Sequence, residues 1–364
     1  MMKNKLLIFL AAAVLLLVLP SVAQYAGNFW VRIIDFALLY VLLALGLNIV
    51  VGYAGLLDLG YNAFYAVGAY MFGLLASPHL SETFPAIRAL FPGGLHTPLW
   101  VVIPLGAAIA GMFGVLLGAP TLKLRGDYLA IVTLGFGEII RVFLNNLDAP
   151  VNITNGPKGL LQIDSLKLPF VGFDFGKNGE LFGLPVSSVT KYYFLFLAVV
   201  VVSVVICYRL ERSRIGRAWM AIREDETAAK AMGINTRNMK LLAFGMGATF
   251  GGVSGVLFST FQNFISPESF ALQESVMVVA MVVLGGIGHI PGVILGALLL
   301  AALPEVLRWV SGELDLQMLT GGRLDAAILR QLLIALAMIA IMLARPRGLW
   351  PSPEHGKAAP TPAT

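Results

Sequence analysis

Residues 192–208 read YYFLFLAVVVVSVVICY, a run of apolar residues that contains no charged side chain. A helix needs about 20 predominantly apolar residues to cross the hydrocarbon core of a bilayer. Similar runs recur along the chain and predict ten membrane-spanning helices. The predicted spans lie near residues 6–23, 33–52, 58–76, 98–118, 127–146, 192–208, 241–263, 275–289, 291–310 and 326–343. Because these runs are apolar throughout rather than alternating, they indicate an all-α polytopic membrane protein.

Two places interrupt this regular pattern. The span at 275–289 is short for a full crossing, and residues 52–60 (GYAGLLDLG) are rich in glycine. Glycine weakens a helix interior and often marks a turn or a close backbone approach. We therefore expect a break near Gly52–Gly60 rather than an ordinary loop between two helices.

The composition of the 364-residue chain also indicates that lipid is its main solvent. Hydrophobic residues make up 58% of the sequence and charged residues 12%, whereas soluble domains carry roughly a quarter charged residues. We attribute the net charge of +5 to helix orientation, so no nucleic-acid partner is expected. A single cysteine, Cys207, excludes an internal disulfide and a cysteine-rich metal site. We expect this chain to bind neither a metal nor a cofactor.

The N-terminus has two interpretations. Lys3 and Lys5, the apolar run 6–19 and the small residues around Ala23 imitate a cleavable signal peptide. An uncleaved first helix fits equally well, and we favour it because the chain that follows is itself largely membrane-spanning. Both interpretations place Gln24 outside the cell membrane.

Lysine and arginine set the predicted orientation, because cytoplasmic loops carry an excess of both. Ten crossings that start with Lys3 inside place the densest basic segment, 209–240, in the cytoplasm together with both termini. The long loop 147–191 is then extracytoplasmic. Residues 1–350 form the predicted transmembrane domain, and the Pro/Ala-rich tail 351–364 is predicted to be disordered.

The basic segment 209–240 contains the signals of a short helix outside the membrane. Asp225 suits the N-cap position, and Gly233 suits the position just after the C-terminus. The predicted contact residues of this helix are Asp225, Glu226, Thr227, Ala228, Ala229, Met232 and Gly233. Asn235 or Thr236 suits the cap of the next helix. One interpretation is a low surface that docks on a partner, and the other is a solvated loop that only orients the chain.

Glu138 and Arg141 are charged residues within a predicted span. Counting from Asp127, Glu138 lies roughly 16 Å along the helix, near the middle of the membrane. The two side chains share one helix face, so we expect them to pair inside the bundle. Three roles are open: a structural ion pair, an element of the transport path or gate, and a proton relay.

Glycines recur at every fourth position in two spans. The two sets are Gly247, Gly251 and Gly255, and Gly288, Gly292 and Gly296. Each set is predicted to lie along one helix face and to allow close helix packing, either within this chain or as a sliding face at a subunit interface or gate. Polar residues that could line a path are Asn48, Asp58, Asn62, Ser259, Gln262 and Asn263. Each of them could instead form hydrogen bonds between helices.

Several stretches together resemble one family. They are 45–70 (GLNIVVGYAGLLDLGYNAFYAVGAY), 122–146 (LKLRGDYLAIVTLGFGEIIRVFLNN), 154–160 (TNGPKGL), 282–297 (VVLGGIGHIPGVILGA) and 345–350 (RPRGLW). They resemble the branched-chain amino-acid permeases of ABC importers, and within that family the LivM type. Glu226-Thr227-Ala228-Ala229 with Gly233 resembles the coupling segment of such permeases, although its second residue is Thr rather than Ala and the downstream part of the motif is not matched.

The resemblance implies a type II-like importer fold in the bacterial inner membrane. It also implies a LivH-type second permease, two cytoplasmic ATPases and an extracytoplasmic binding protein as partners. The sequence contains no G-x-x-x-x-G-K phosphate loop, so ATP is expected to bind to partner subunits and this chain is not expected to be an enzyme. Alternatives are the same importer class for urea, amides or another amino acid, an ion-coupled secondary transporter, and a scaffold without transport.

Overall fold

The computed structural model describes residues 15–25, 27–121, 124, 126–168, 173–181 and 184–313, and short stretches between residues 332 and 350. The predicted span 6–23 is therefore described from Leu15 onward. Most of the predicted span 326–343, and the whole tail 351–364, lie outside the described residues.

The described part of the chain is mainly helical. Its helices are α1 Leu15–Tyr25, α2 Asn28–Asn48, α3 Asn62–Leu75, α4 His79–Thr83, α5 Pro85–Leu90, α6 Leu99–Thr121, α7 Asp127–Asn146, α8 Ser188–Glu211, α9 Arg214–Glu224, α10 Glu226–Ala231, α11 Thr236–Gln262, α12 Leu272–Gly285 and α13 Ile290–Glu313. A π-helical turn, Ile49–Tyr53, continues α2, and 3-10 turns form at Gly156–Lys158 and Pro267–Phe270.

Six described helical segments are long and apolar enough to cross a membrane: Asn28–Tyr53, Leu99–Thr121, Ser188–Glu211, Thr236–Gln262, Pro267–Gly285 and Ile290–Trp309. Helices α1 and α3 are apolar but shorter. Helix α7 matches the predicted span 127–146 at both ends. These helices confirm a multi-pass membrane protein with an all-helical membrane part.

Short strands form outside these helices, in the long loop 147–191, although the sequence analysis predicts no strand. Strand β1, Lys167–Leu168, pairs antiparallel with β2, Phe173–Asp174. Strand β3, Gly179–Leu181, pairs in the same way with β4, Leu184–Val186. We call this side of the bundle the hairpin end, and the opposite side, where α9 and α10 lie, the α9–α10 end.

Helix α11 packs against α2, α3 and α6 in the middle of the bundle. Gly251 and Gly255 face α3, where a Cβ at Gly255 would collide with the main chain of Tyr65. Gly247 faces Val50 and Gly46 of α2. The predicted glycine face of α11 is therefore used for packing within this chain.

The second glycine set differs from the prediction. Helix α13 begins at Ile290, so Gly288 lies in the turn before it rather than on its face. Gly286 and Gly288 both have positive φ, at 123° and 81°, and this conformation ends α12 at Gly285. Gly292 and Gly296 are on α13 and lie directly against Gly285.

Helices α3 and α12 are each shorter than a full crossing, although α12 and the 3-10 turn before it together make up the membrane-length segment Pro267–Gly285, and the two helices meet at their N-terminal ends. Each has 14 residues, about 21 Å at 1.5 Å per residue, whereas the hydrocarbon core is about 30 Å thick. At their N-termini the Ser275 hydroxyl accepts a hydrogen bond from the Asn62 main-chain N–H at 2.9 Å and donates one to its Oδ1 at 2.9 Å. From this meeting point α3 leads toward the hairpin end and α12 toward the α9–α10 end.

Candidate coupling site

Two helices, rather than the one predicted, form within segment 209–240. Ser213 caps α9 by accepting a hydrogen bond from the Gly216 N–H at 3.1 Å. Trp219 of α9 is fully buried, and its indole N–H donates to the Met239 carbonyl of α11 at 2.7 Å. These contacts fix α9 against the α9–α10 end of α11.

Helix α10 has the caps that the sequence predicts. The Asp225 side chain accepts hydrogen bonds from the N–H groups of Thr227 at 2.7 Å and Ala228 at 3.0 Å. Gly233 follows the helix with a φ of 82°, and its N–H donates to the Lys230 carbonyl at 3.0 Å. Asn235 caps α11 by accepting from the Asn238 N–H at 3.2 Å.

The two faces of α10 are different. Ala229 is buried against the bundle, with 4% of its surface exposed. Thr227, Ala228 and Gly233 are exposed, and Met232 projects beyond them with 83% of its surface exposed. The outward face is therefore low and carries one protruding apolar side chain, a shape suited to a complementary groove.

Glu226 anchors α10 to α11. Its carboxylate accepts hydrogen bonds from Lys240 Nζ at 2.8 Å and the Thr236 hydroxyl at 3.3 Å, and pairs with Lys230 Nζ at 3.1 Å. Partial burial opposes ionisation, but the hydrogen bonds and charges of Lys240 and Lys230 prevail and lower the pKa of Glu226 to about 2. Glu226 is therefore ionised at neutral pH and faces inward rather than toward a partner.

Arg223, the residue before Glu224 at the end of α9, connects this site to the membrane bundle. Its guanidinium donates a hydrogen bond to the Gly52 carbonyl in the π-helical turn after α2. Its aliphatic stem lies where a side chain at Gly55 would stand. Asn48 continues the connection, because its Oδ1 accepts a hydrogen bond from the Gly288 N–H at 2.8 Å.

The predicted break at Gly52–Gly60 is confirmed, and it is longer than one turn. The α-helix ends at Asn48, the π-helical turn after it ends at Tyr53, and helix resumes only at Asn62, although the predicted span 58–76 begins at Asp58. Asp58 is fully buried, and its Oδ1 accepts a hydrogen bond from the Gly60 N–H at 2.9 Å. The Leu59 N–H donates to the Thr133 hydroxyl of α7 at 3.0 Å. Irregular backbone inside a membrane bundle requires such partners.

Glu138 and Arg141 form the predicted ion pair, with 2.9 Å between Nη2 and Oε2. The pair is not inside the bundle as expected: 31% of the Glu138 side chain and 27% of the Arg141 side chain are exposed. Arg141 also reaches Glu268 at 3.4 Å, in the 3-10 turn before α12. The pair therefore lies at the edge of α7, where α7 meets that turn.

The other predicted path residues have separate positions. Asn62 is 4% exposed and also donates from Nδ2 to the Phe270 carbonyl at 2.7 Å. Ser259 is fully buried within α11. Gln262 accepts a hydrogen bond from Arg32, and Asn263 donates to the Ile163 carbonyl at 2.8 Å. The last two therefore hold the hairpin end of α11 against α2 and the long loop, and the set does not form one continuous surface.

Four functional candidates are absent from the sequence-based set. Arg223 and Lys240 belong to the basic segment 209–240, which has eight lysine and arginine residues. Nothing in the sequence distinguishes these two from the other six. Asp35 is fully buried in α2, and neither carboxylate oxygen has a hydrogen-bond partner among the described residues. Glu274 lies in the first turn of α12. An acid inside span 33–52, and another beside span 275–289, are the signals that could have identified Asp35 and Glu274.

Comparison with known proteins identifies the family of the chain. The model of the family described as branched-chain amino acid transport system / permease component matches residues 29–342. No solved structure matches the chain.

Individual relatives carry the same description. The chain is 41% identical to the high-affinity branched-chain amino acid transport system permease protein LivM of Escherichia coli, over 88% of this chain and 70% of that protein. It is 28% identical to the LivH permease protein of Salmonella typhimurium, over 72% and 79% of the two chains. It is 27% identical to the BraD permease protein of Pseudomonas aeruginosa, over 87% and 93%. The chain therefore belongs to the family of permease components of branched-chain amino acid transport systems.

Proposed function

We propose that this chain is the LivM-type permease subunit of an ATP-driven importer that moves branched-chain or related hydrophobic amino acids into the bacterial cytoplasm. Family membership supports the transported class. The capped helix α10, with its exposed Met232, supports energy supply from a docked partner. The chain performs no covalent chemistry in this proposal, and ATP binds to partner subunits.

The proposed partners follow from the same two observations. Relatives named LivM and LivH both match the chain, which supports a pair made of this permease and a LivH-type permease. Two cytoplasmic ATPases would dock beneath the pair, one of them on α10. An extracytoplasmic binding protein would deliver the amino acid at the hairpin end.

The finer membrane arrangement is also part of the proposal. We propose ten crossings, a type II-like importer fold and two cytoplasmic termini. In this arrangement the α9–α10 end lies in the cytoplasm and loop 147–191 lies outside the inner membrane. The eight basic residues of segment 209–240 support this orientation. Residues 1–350 would then form one permease domain.

Two alternatives predict different partners. The same importer carrying urea, amides or another amino acid would keep every partner and change only the substrate. An ion-coupled secondary transporter would use Glu138 as its coupling site and need no ATPase. The contacts of Glu138 disfavour this second alternative, because its carboxylate is already paired with Arg141, which also reaches Glu268.

Affinity purification of the tagged chain from its own host tests the proposal. We expect a second permease of the same family and two copies of ATPase subunits to co-purify in mild detergent. The variant Met232→Glu should co-purify with less ATPase and keep the second permease, whereas Tyr25→Phe, a control at the exposed opposite end, should retain the full amount of both partners. Purification of the wild-type chain without any ATPase would contradict the proposal.

A further inference from the structure

Three neighbouring cavities follow the side of α2 that faces α12 and α13. The first has a volume of about 350 Å³ and lies near the hairpin end, beside Arg32 and Arg308. The second has a volume of about 240 Å³ and shares Phe36 and Tyr40 with the first. Together they lead from the hairpin end toward the place where the N-terminal ends of α3 and α12 meet.

The inner part of this route is centred on one acid. Glu274 lines the second cavity and also a third, smaller one that extends to Asn62 and Ser275. Tyr65 lines both of these cavities as well. The route therefore ends where α3 and α12 begin, at the position where regular backbone is interrupted.

The polar contacts of Glu274 leave it able to bind a cation. The Tyr40 hydroxyl donates to Glu274 Oε2 at 2.9 Å. No lysine, arginine or histidine among the described residues lies within ion-pair distance of this carboxylate. A carboxylate at membrane depth is costly unless something compensates its charge, and a cationic group in the adjoining cavity would do so.

Aromatic side chains form the other walls of the second cavity. The rings of Tyr65 and Phe258 are 5.3 Å apart, and both pack against Phe270, at 5.1 Å and 6.1 Å. Phe36 contacts Phe258 from α2 at 6.4 Å. The cavity thus combines one carboxylate with an apolar aromatic wall, a combination typical of small-molecule sites.

We propose that Glu274, oriented by Tyr40, binds the α-ammonium group of an amino acid in transit while Phe36, Tyr65 and Phe258 contact its apolar side chain. An ammonium group would form charge-assisted hydrogen bonds with the carboxylate and favourable contacts with the ring faces. An acidic side chain would be repelled by Glu274. This inference rests on the proposed function, since it assigns a place inside the permease to the substrate of that importer.

The test uses the complete importer in proteoliposomes, with labelled leucine and ATP. Glu274→Gln removes the charge with little change of shape, so uptake should fall by about tenfold or more while the ATPase activity stimulated by leucine-loaded binding protein persists. Tyr40→Phe should reduce uptake less, because the carboxylate remains. Tyr70→Phe and the exposed Glu82→Gln are matched controls outside these cavities and should transport like the wild type.

Photolabelling gives a second readout that does not depend on turnover. A photoreactive diazirine analogue of leucine should label wild-type peptides that contain Tyr40, Tyr65 or Glu274, and excess leucine should suppress this labelling. Glu274→Gln should lose it.

Wild-type uptake by Glu274→Gln would overturn the site, as would leucine-suppressible labelling confined to other segments of an active importer. If the Glu274→Gln importer fails to assemble, the labelling pattern of the wild type alone tests the site. Leucine-suppressible labelling of peptides that contain Tyr40, Tyr65 or Glu274 would support the site, and such labelling confined to other segments would overturn it. Absence of ATP-driven uptake by the wild type itself would instead reject the proposed function.

Discussion

The Arg223 guanidinium donates a hydrogen bond to the Gly52 carbonyl, across 171 residues of sequence. This contact joins the end of α9 to the π-helical turn where α2 loses its regular geometry. Asn48, one turn earlier, holds the Gly288 N–H between α12 and α13. A movement of α9 and α10 would therefore reach both the break after α2 and the turn beside α12.

Arg223→Met tests this mechanical connection. We expect the importer to assemble and to hydrolyse ATP, because the exposed face of α10 is unchanged. Uptake per ATP should fall by about tenfold, within the usual range of coupling between sites. Arg237→Met, at an exposed position of α11, is the control and should retain uptake. Equal losses of ATPase activity and uptake would show that Arg223 supports docking rather than transmission.

Substitutions in and beside α10 can distinguish the docking role of its exposed face from the packing role of its buried face. Met232→Glu places a charge on the exposed face and should prevent ATPase binding while the protein remains inserted and folded. Gly233→Pro should have the same effect, because proline cannot adopt a φ of 82° and lacks the N–H that donates a hydrogen bond to the Lys230 carbonyl. Ala229→Glu should reduce stability first, since Ala229 is buried. Quantitative co-purification and thermal unfolding distinguish these cases, and full ATPase binding by Met232→Glu would exclude α10 as the docking surface.

Glu226 makes the stability of α10 dependent on pH. Its pKa is about 2 in the folded protein and about 4.5 unperturbed, so its stabilising contribution is complete above about 4.5 and is lost as pH falls toward 2. Wild-type protein should be more stable than Glu226→Gln at pH 7, and this difference should narrow steadily between pH 4.5 and 3. Thermal unfolding in detergent measures it. A difference that stays constant down to pH 3 would contradict the ion pairs with Lys240 and Lys230.

Single and double substitutions at Glu138 and Arg141 distinguish a structural role of this ion pair from a role in transport. Glu138→Gln and Arg141→Met should each lower stability, because each leaves a charge without its partner, by less than the roughly 3–5 kcal/mol of a fully buried pair. The double change Glu138→Leu/Arg141→Met should restore stability but only part of the uptake. Complete recovery of uptake by the double variant would show that the pair contributes only to packing. Uptake driven by a pH gradient without ATP would support a proton relay.

Orientation is tested by reporter fusions. A reporter that is active only in the cytoplasm should be active when fused after Lys240. The same reporter fused within residues 155–180 should be inactive. Activity at the second position would contradict the placement of the hairpin end outside the membrane.

Local signals in the sequence predicted local structure well. The cap at Asp225 and the helix end at Gly233 depend on neighbouring residues alone, and both are confirmed. The glycines of α12 and α13 show the limit of such signals. A four-residue spacing predicts one helix face, but the positive φ angles at Gly286 and Gly288 end α12 at Gly285 and leave Gly288 in the turn before α13.

Contacts between distant parts of the chain could not be predicted in this way. Asn62 and Ser275 are 213 residues apart in sequence, and they meet because the N-terminal ends of α3 and α12 lie together in the fold. The cavity at Glu274 has the same origin, since its walls come from α2, α3, α11 and α12. Hydropathy identifies each helix but not which of its faces meets a cavity. Asn62, a sequence-based candidate for a path residue, lines the smallest of these cavities, whereas Glu274 was missed.

ATP-driven uptake of labelled leucine tests the central claim most directly. Proteoliposomes should contain this permease, its LivH-type partner and the two ATPases, with the binding protein outside and ATP inside. Our account predicts leucine accumulation that requires both ATP and the binding protein, and that an imposed pH gradient does not replace ATP. Accumulation driven by the pH gradient alone, or no transport of leucine with ATP and every partner present, would contradict it.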